Sequence, residues 1–285
     1  MEFPQIDGYE IIGLISSAGG MSSGVYRAVF KRGPRREVAI KELKFLGSQD
    51  PKLIEFFKKE AKKEANFYLY HNHPRLMKLR GSGFAEQGDN YYIIMELVPG
   101  MSVREKINQI GPITTERTIP LFLKVLEAIG YLHSQNILHL DIKPDNIMLQ
   151  NDDEIKIIDM GISTDLNNID EFVKRAGTPL YKSPEQIDGD QLGIYTDIWG
   201  LGVTLFEMLT AKVPFGGGDT SSREASYREL YYNIKNSPVP RVVEEYPWIS
   251  DDMQEILEKA LAKKPNDRYH SCAEFADDLL KIIYT

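Results

Sequence analysis

Eight consecutive residues, His139-Leu-Asp141-Ile-Lys143-Pro-Asp145-Asn146, combine side chains that can do chemistry together. Asp141 offers a carboxylate that can take a proton from a hydroxyl. Lys143 places a positive charge two residues on. Asn146 supplies an amide oxygen, and Asp159 follows thirteen residues later in Asp159-Met-Gly161. Oxygen donors of this kind suit a hard cation such as Mg²⁺. A base, a cation and two metal ligands fit phosphoryl transfer, in which positioning and charge neutralisation supply most of the catalysis. Each residue alone would be an ordinary solvated side chain; order and spacing together carry the reading.

Such groups need a frame. The first hundred residues read as strand-rich: Tyr9–Ile15, Val25–Phe30, Glu37–Leu43 and Tyr91–Leu97 are short β-prone runs. Gly, Ser and Pro separate them in Ser16–Gly24 and Arg32-Gly-Pro-Arg-Arg. One helix is expected from Leu53 to Tyr70, with Asp50 as N-cap and Pro51 at its first position. After Pro99-Gly100 the period changes. Leu121, Phe122, Val125, Leu126, Ile129 and Leu132 recur at helical spacing. Two short strand-like pieces, Ile147–Leu149 and Ile155–Ile158, precede an apolar helix over Asp197–Thr210. The last helix opens on Ser271-Cys-Ala-Glu274, a capping box that satisfies two otherwise free amides. A β-rich lobe followed by a larger helical lobe is the expected α+β arrangement, with a cleft for ligands.

Composition narrows the classes. The 285 residues include 42 acidic and 34 basic side chains, for a formal net charge of −8. That argues against a nucleic-acid partner, which calls for a basic excess. Cys272 is the sole cysteine, so no internal disulfide or cysteine metal cage forms, and a reducing, cytoplasmic setting is expected. The N-terminal residues lack a signal-peptide pattern, and the longest apolar stretch, Ile198–Phe206, is far short of the ~20 residues of a membrane span. A membrane tether in a longer parent chain is left open, as is the oligomeric state. There is no Gly-Lys-Ser/Thr for a Walker-type site, and His71 and His73 lack the partners of a zinc site. Gly20-Met-Ser-Ser-Gly24 matches a serine-hydrolase elbow, but that motif needs a following helix, and Val25–Phe30 reads as strand.

From about Tyr9 to Ile283 the chain resembles a eukaryotic-type Ser/Thr protein kinase, with a glycine loop similar to bacterial versions. The resemblance implies a two-lobed catalytic domain over residues 1–285: an N-lobe of about 1–97, a hinge of about 96–102 and a C-lobe of about 103–285. Lys41, ending Val38-Ala-Ile-Lys41, resembles the lysine that holds the α/β-phosphates. Glu64 is its implied helix partner, ahead of Glu60. Gly19, Gly20 and Gly24 would cover the phosphates. Met95, Glu96 and Val98 would form the adenine-binding hinge; Val25, Ala39 and Met148 would enclose the base, and Ser102 would meet the ribose. Asn146 and Asp159 would bind Mg²⁺, with Mn²⁺ as a substitute. Asp141 would be the base and Lys143 the stabiliser of the transferred group. Thr178 would belong to the substrate platform. Glu185 would pair with Arg268, and Asp197 would hold the catalytic-loop backbone. The implied activity is transfer from ATP to Ser/Thr hydroxyls of protein substrates. The rival reading is a pseudokinase that binds nucleotide or a partner without turnover.

Four departures from the family pattern stand out. The glycine loop, Ser16-Ser-Ala-Gly-Gly-Met-Ser-Ser-Gly-Val25, is irregular, with Ser17 at the first glycine position. Met160 replaces Phe, and its flexible thioether is expected to fill the same slot beside Tyr68, Leu79 and His139. Ser183 replaces Ala. Leu140 replaces the Arg that receives an activation-loop phosphate, and Asp165–Gly177 contains no Ser, Thr or Tyr. Receptor and acceptor are missing together, so activity without conventional loop phosphorylation is expected. Asp170 and Glu171 offer fixed negative charge there, and Ser163 and Thr164 are the hydroxyls near Asp159 that could be modified.

Overall fold

The structure, a computed structural model, describes residues 4–16, 22–43, 62, 72–84, 91–150, 154–160, 163–167, 169, 171–216 and 223–284. The chain divides into two compact units, Met1–Pro99 and Gly100–Thr285. The first is a sheet structure and the second is mainly helical.

The first unit is an antiparallel five-stranded sheet of β1 (Tyr9–Ser16), β2 (Ser22–Phe30), β3 (Glu37–Leu43), β4 (Leu79–Phe84) and β5 (Tyr91–Glu96), in the order β1-β2-β3-β5-β4. Its β-branched and aromatic runs alternate as a pleated strand requires. One face packs Ala28, Val38, Ile40, Tyr92 and Ile94 into a core. The pairings Val25↔Lys41, Ala39↔Met95 and Lys41↔Ile93 place Val25, Ala39, Lys41 and Met95 on the opposite face. The strand β4 was not read from sequence, because Leu79-Arg-Gly-Ser-Gly-Phe84 holds two glycines and little alternation. Part of the expected glycine-loop segment is strand: β2 begins at Ser22 and takes in Gly24. Gly19, Gly20 and Ser17 lie outside the described residues. So does the expected 53–70 helix apart from Lys62, and with it Glu60, Glu64 and Tyr68, as do His71 and Asp170.

The second unit opens at Gly100, with φ of +109°, where an added Cβ would lie 1.9 Å from the Leu149 carbonyl oxygen. Only glycine fits that approach. A short strand β6 (Met101–Ser102) leads into α1 (Val103–Ile110) and α2 (Thr115–Ser134). The helix α1 was also missed; its amphipathic stretch is only eight residues long, but Ser102 and Glu105 form a reciprocal capping box. Next come β7 (Ile137–Leu138), β8 (Ile147–Leu149), β9 (Ile155–Ile157) and β10 (Thr164–Asp165). The helices α3 (Glu171–Lys174), α4 (Pro184–Asp188), α5 (Ile194–Thr210), α6 (Arg223–Asn236), α7 (Asp251–Ala260) and α8 (Cys272–Tyr284) complete it. From Thr196 to Thr210 every residue of α5 is buried, which makes it the central post of the unit. At α8, Ser271 Oγ accepts from Glu274 N at 3.1 Å, as expected. The Glu274 carboxylate, however, takes the His270 N–H at 2.8 Å, one residue before the N-cap amide of a regular box.

Candidate active site

The catalytic-loop residues are held from below. Asp197, near the start of α5, is 1% exposed. Its carboxylate accepts the backbone N–H groups of His139 and Leu140, each at 2.8 Å, and contacts His133 Nε2 at 2.9 Å. Burial by itself would raise this carboxyl; the His133 hydrogen bond, its charge field and His139 outweigh burial and hold it below the ordinary carboxylate range. Leu140 takes a left-handed backbone, φ 66°, unusual for a branched side chain. Asp197 is what secures that bend, since both adjoining amides end on one buried carboxylate. His139 is fully buried, and burial lowers its affinity for a proton against the pull of Asp197, Asp141 and Asp159. Its Nδ1 faces the Asp141 N–H at 3.3 Å.

Above this floor stands a three-residue cluster. Asp141 Oδ2 accepts from Lys143 Nζ at 2.6 Å, and Oδ1 accepts from the Thr178 hydroxyl at 2.7 Å and the Thr178 N–H at 2.9 Å. Lys143 Nζ also donates to Thr178 Oγ1 at 2.6 Å. The Asp141 and Lys143 side chains keep 17% and 18% of their surface exposed. Asn146 Nδ2 donates to the Asp141 carbonyl at 2.9 Å, which fixes the amide and leaves its oxygen without a hydrogen-bond partner among the described residues. The hairpin of β8 and β9 positions Asp159: Ile147 pairs with Ile157, and Ile158 N–H donates to the Asn146 carbonyl at 3.0 Å. Asp159 therefore leaves the same end of the hairpin as Asn146. Among the described residues, no three acidic, His or Cys side chains gather as a metal cage. Asn146 and Asp159 are two oxygen donors of the kind that suits Mg²⁺, which rarely has an all-protein cage.

In the first unit, Lys41 stands on β3 between Val25 and Ile93, on the sheet face that also carries Ala39 and Met95. The adjoining Glu42 points the other way and is 1% exposed; Tyr26 and Tyr92 hydroxyls donate to it, each at 3.1 Å. Glu96 is bonded on both sides of Lys78, its carboxylate to the Lys78 N–H at 2.8 Å and its N–H to the Lys78 carbonyl at 2.9 Å. Val98 is half-buried beyond the end of β5. In the second unit, Met148 pairs with Ser102 across β8 and β6. The Ser102 hydroxyl is engaged at both ends by Glu105, accepting from its N–H and donating to its carboxylate, each at 3.1 Å.

The segment after Asp159 is held by burial, strand pairing and apolar contacts. Met160 is buried. Ser163 and Thr164 are 8% and 1% exposed, so burial shields both hydroxyls from a modifying enzyme in this conformation. The strand β10 pairs with β7, and Leu166 N–H donates to the Asn136 carbonyl at 2.7 Å. Leu140 joins Leu138, Val173 and Leu192 in an apolar cluster, with Leu166, Ile169 and Ile194 packed against it. Ser183 caps α4 through a reciprocal box with Gln186, whose side-chain amide also reaches the carbonyls of Leu140 and Ala176. Glu185 and Arg268 form a two-pronged buried pair at 2.9 and 3.0 Å.

Sequence reasoning missed Arg104. It donates to Asp145, to the Tyr181 hydroxyl and to buried Glu207, tying α1 to the catalytic loop and to α5. Burial opposes its charge, but Glu207, Tyr181 and Asp145 overcome that and raise its pKa. The signal was a capped helix start that the sequence reading passed over.

The Protein kinase domain profile matches residues 15–281. The chain is 33% identical over 282 residues to the serine/threonine-protein kinase PknB of Mycobacterium tuberculosis, covering 97% of this chain and 43% of that protein. PknB of Mycobacterium leprae is also 33% identical, over 281 residues and the same shares of both chains. The serine/threonine-protein kinase PrkC of Bacillus subtilis is 32% identical over 246 residues, 86% of this chain and 36% of that protein. The chain thus spans less than half the length of the curated relatives it matches. A profile match over most of the sequence, on a sheet unit followed by a helical unit, assigns the chain to the protein kinase family.

Proposed function

We propose that the chain is a Ser/Thr protein kinase catalytic domain that transfers the γ-phosphoryl group of ATP to hydroxyls of protein substrates. The observation that carries it is the hydrogen-bonded cluster of Asp141, Lys143 and Thr178. In that cluster a hydroxyl already donates to the Asp141 carboxylate while an ammonium neutralises the pair. A substrate Ser or Thr would present its hydroxyl in the same way. Asp141 would take the proton as the oxygen attacks phosphorus and the bond to the β-phosphate breaks, leaving ADP. Lys143 would offset negative charge on the group in transfer.

Asn146 and Asp159 would hold Mg²⁺, or Mn²⁺ in its place, and the ion when bound would neutralise phosphate charge. Lys41, with Glu64, would orient the α/β-phosphates, and Gly19, Gly20 and Gly24 would cover them. Met95, Glu96 and Val98 would meet the adenine edge, with Val25, Ala39 and Met148 around the base. Ser102, whose hydroxyl donates to and accepts from Glu105, would meet the ribose through its remaining lone pair. The hinge is assigned to residues 96–102, joining lobes of about 1–97 and 103–285. The single cysteine, Cys272, is buried and unbridged, which supports a reducing, cytoplasmic setting. Among the described residues no helix is long and apolar enough to cross a membrane.

The activation segment is proposed to act without phosphorylation. In this reading the apolar contacts of Leu140 and the β10–β7 pairing would take the place of an Arg–phosphate contact.

The test is phosphate transfer from Mg·ATP to the chain itself and to a broad peptide library, with sites mapped by mass spectrometry. Phosphoserine or phosphothreonine from the chain, and none from Asp141→Asn, is expected. Tight nucleotide binding with no transfer above the Asp141→Asn level would leave a pseudokinase scaffold as the better reading.

A further inference from the structure

The sole cysteine of the chain lies against the groups that hold the catalytic loop. Cys272 is the first residue of α8, and its sulfur is 3.6 Å from Nδ1 of His133, in the last turn of α2. The other ring nitrogen of His133, Nε2, meets Asp197 Oδ2 at 2.9 Å. The Asp197 carboxylate in turn receives the amides of His139 and Leu140. A line of three side chains thus runs from α8 through α2 to α5 and ends on the backbone beside Asp141. Cys272 and Asp197 are buried, and the His133 side chain is only 6% exposed. Among the described residues, neither the thiol nor Nδ1 has another hydrogen-bond partner.

The surrounding backbone fixes where the sulfur sits. At Gly130, one turn before His133 on α2, an added Cβ would lie 3.4 Å from the Cys272 Cβ, so the two helices approach closely there. The Ser271 and Glu274 side chains hold the first turn of α8 through the Glu274 and His270 amides. The proton positions follow from the partners. An ionised carboxylate only accepts, so the proton shared with Asp197 sits on Nε2. Burial first, and then the charge of Asp197, push the Cys272 thiol well above its ordinary range, so the sulfur keeps its hydrogen. That leaves Nδ1 as the acceptor and S–H as its donor. A thiol is a weak donor, but a buried acceptor left without any partner is the costlier alternative.

We propose that Cys272 is a positioning residue: its S–H engages Nδ1 of His133, keeps the ring in the form that aims Nε2–H at Asp197, and so steadies the loop that carries Asp141. The effect on turnover rests on the transferase reading above; the hold on the ring does not. The sulfur acts here as a hydrogen-bond donor, not as a nucleophile or a redox centre. An apolar side chain in its place would fill the space and leave Nδ1 bare. The ring would then turn or take up a second proton. Either change alters the pull on the one carboxylate to which both loop amides are tied, and it loosens Leu140, whose backbone is already left-handed at φ 66°.

The test compares wild type with Cys272→Val, which fills the space without a donor, and Cys272→Ser, which brings a donor back. Cys272→Ala repeats the comparison without a β-branched side chain. Isotope-edited NMR of the histidine rings reads His133 directly. Wild type should show one neutral ring with its proton on Nε2, and Cys272→Val should add a second ring form. Hydrogen exchange at the His139 and Leu140 amides should speed up by about three- to tenfold in Cys272→Val, the span of one ordinary hydrogen bond. The kcat for phosphate transfer should fall by a similar factor with the KM for ATP unchanged. Cys272→Ser should bring ring, exchange and rate back toward wild type. Identical ring spectra in wild type and Cys272→Val would overturn the proposal. Equal losses in the Val and Ser variants would overturn it too, since packing rather than the donor would then be at work. A changed ring with unchanged amide exchange and rate would sever Cys272 from the catalytic loop. If the wild-type chain transfers no phosphate, the transferase reading falls, and the ring spectra and amide exchange still decide the role of Cys272.

Discussion

Two charge clusters in the second unit are built on opposite plans. The Glu185–Arg268 pair has side chains 5% and 0% exposed. Arg268 also donates to the carbonyls of Ala262, Tyr195 and Lys263, and its guanidinium lies 4.9 Å from the centre of the Trp199 ring. It is dry, and nearly every donor is used. The Asp141–Lys143 pair keeps a sixth or so of its surface exposed and shares its bonds with the Thr178 hydroxyl and N–H and the Asn146 amide. A buried pair with full satisfaction resists change; a half-open one can exchange a partner. Under the proposed function, the difference would separate bracing from chemistry in residues of identical charge type.

The comparison can be broken most sharply at Asp141. Asp141→Asn should lower phosphate transfer by about a thousandfold or more while the melting temperature barely moves, because general-base removal costs rate and the amide keeps the shape. A comparable loss of stability would place Asp141 among the braces. Arg268→Ala should do the reverse. Leaving Glu185 buried and unpaired should cost about 3–5 kcal/mol of stability by chemical denaturation. At temperatures where the variant stays folded, its transfer rate should stay close to wild type.

Leu140 sharpens the contrast with a brace that carries no charge. Leu140→Ala should cost about 2–5 kcal/mol, the range for a buried Leu truncation. Limited proteolysis near residues 165–177 should speed up with it. Phosphatase treatment of the wild-type chain should leave activity unchanged. A large loss traced to a phosphate on this segment would return it to the conventional scheme.

The smallest effect is a pH dependence of the floor beneath the loop. His139 has its folded pKa lowered, so its share of stability is present above the unfolded value of ~6.5 and is lost as pH falls below it. Asp197 is also lowered, so its share persists until pH falls below the unfolded value of ~3.9. Thermal melts should therefore decline in two steps on acidification, and His139→Phe should remove the upper one. The groups facing His139 are Asp197, Asp141, Asp159 and Lys143.

The strands β1, β2, β3 and β5 and the helices α2 and α5 were legible because each has a strong period of its own. The strand β4 and the helix α1 were not: one is weakened by glycine, and the other is held by its cap more than by its pattern. Ser183 looked like an unexplained replacement and proved to be a helix cap. Ser102 proved to be a helix cap as well, its hydroxyl bonded to Glu105.

The order Asp141, Lys143, Asn146, Asp159 was enough by itself to name a chemistry, because the reaction needs those groups at short, regular separations along one loop and hairpin. What only the tertiary structure decided lies far apart in sequence. Arg104 meets Glu207 and Tyr181; Asp197 meets the amides of His139 and Leu140; Cys272 meets His133. Residue type states what a side chain can do, but its partners are chosen by packing across the fold, and the partners decide whether a charge braces the structure or waits for a substrate.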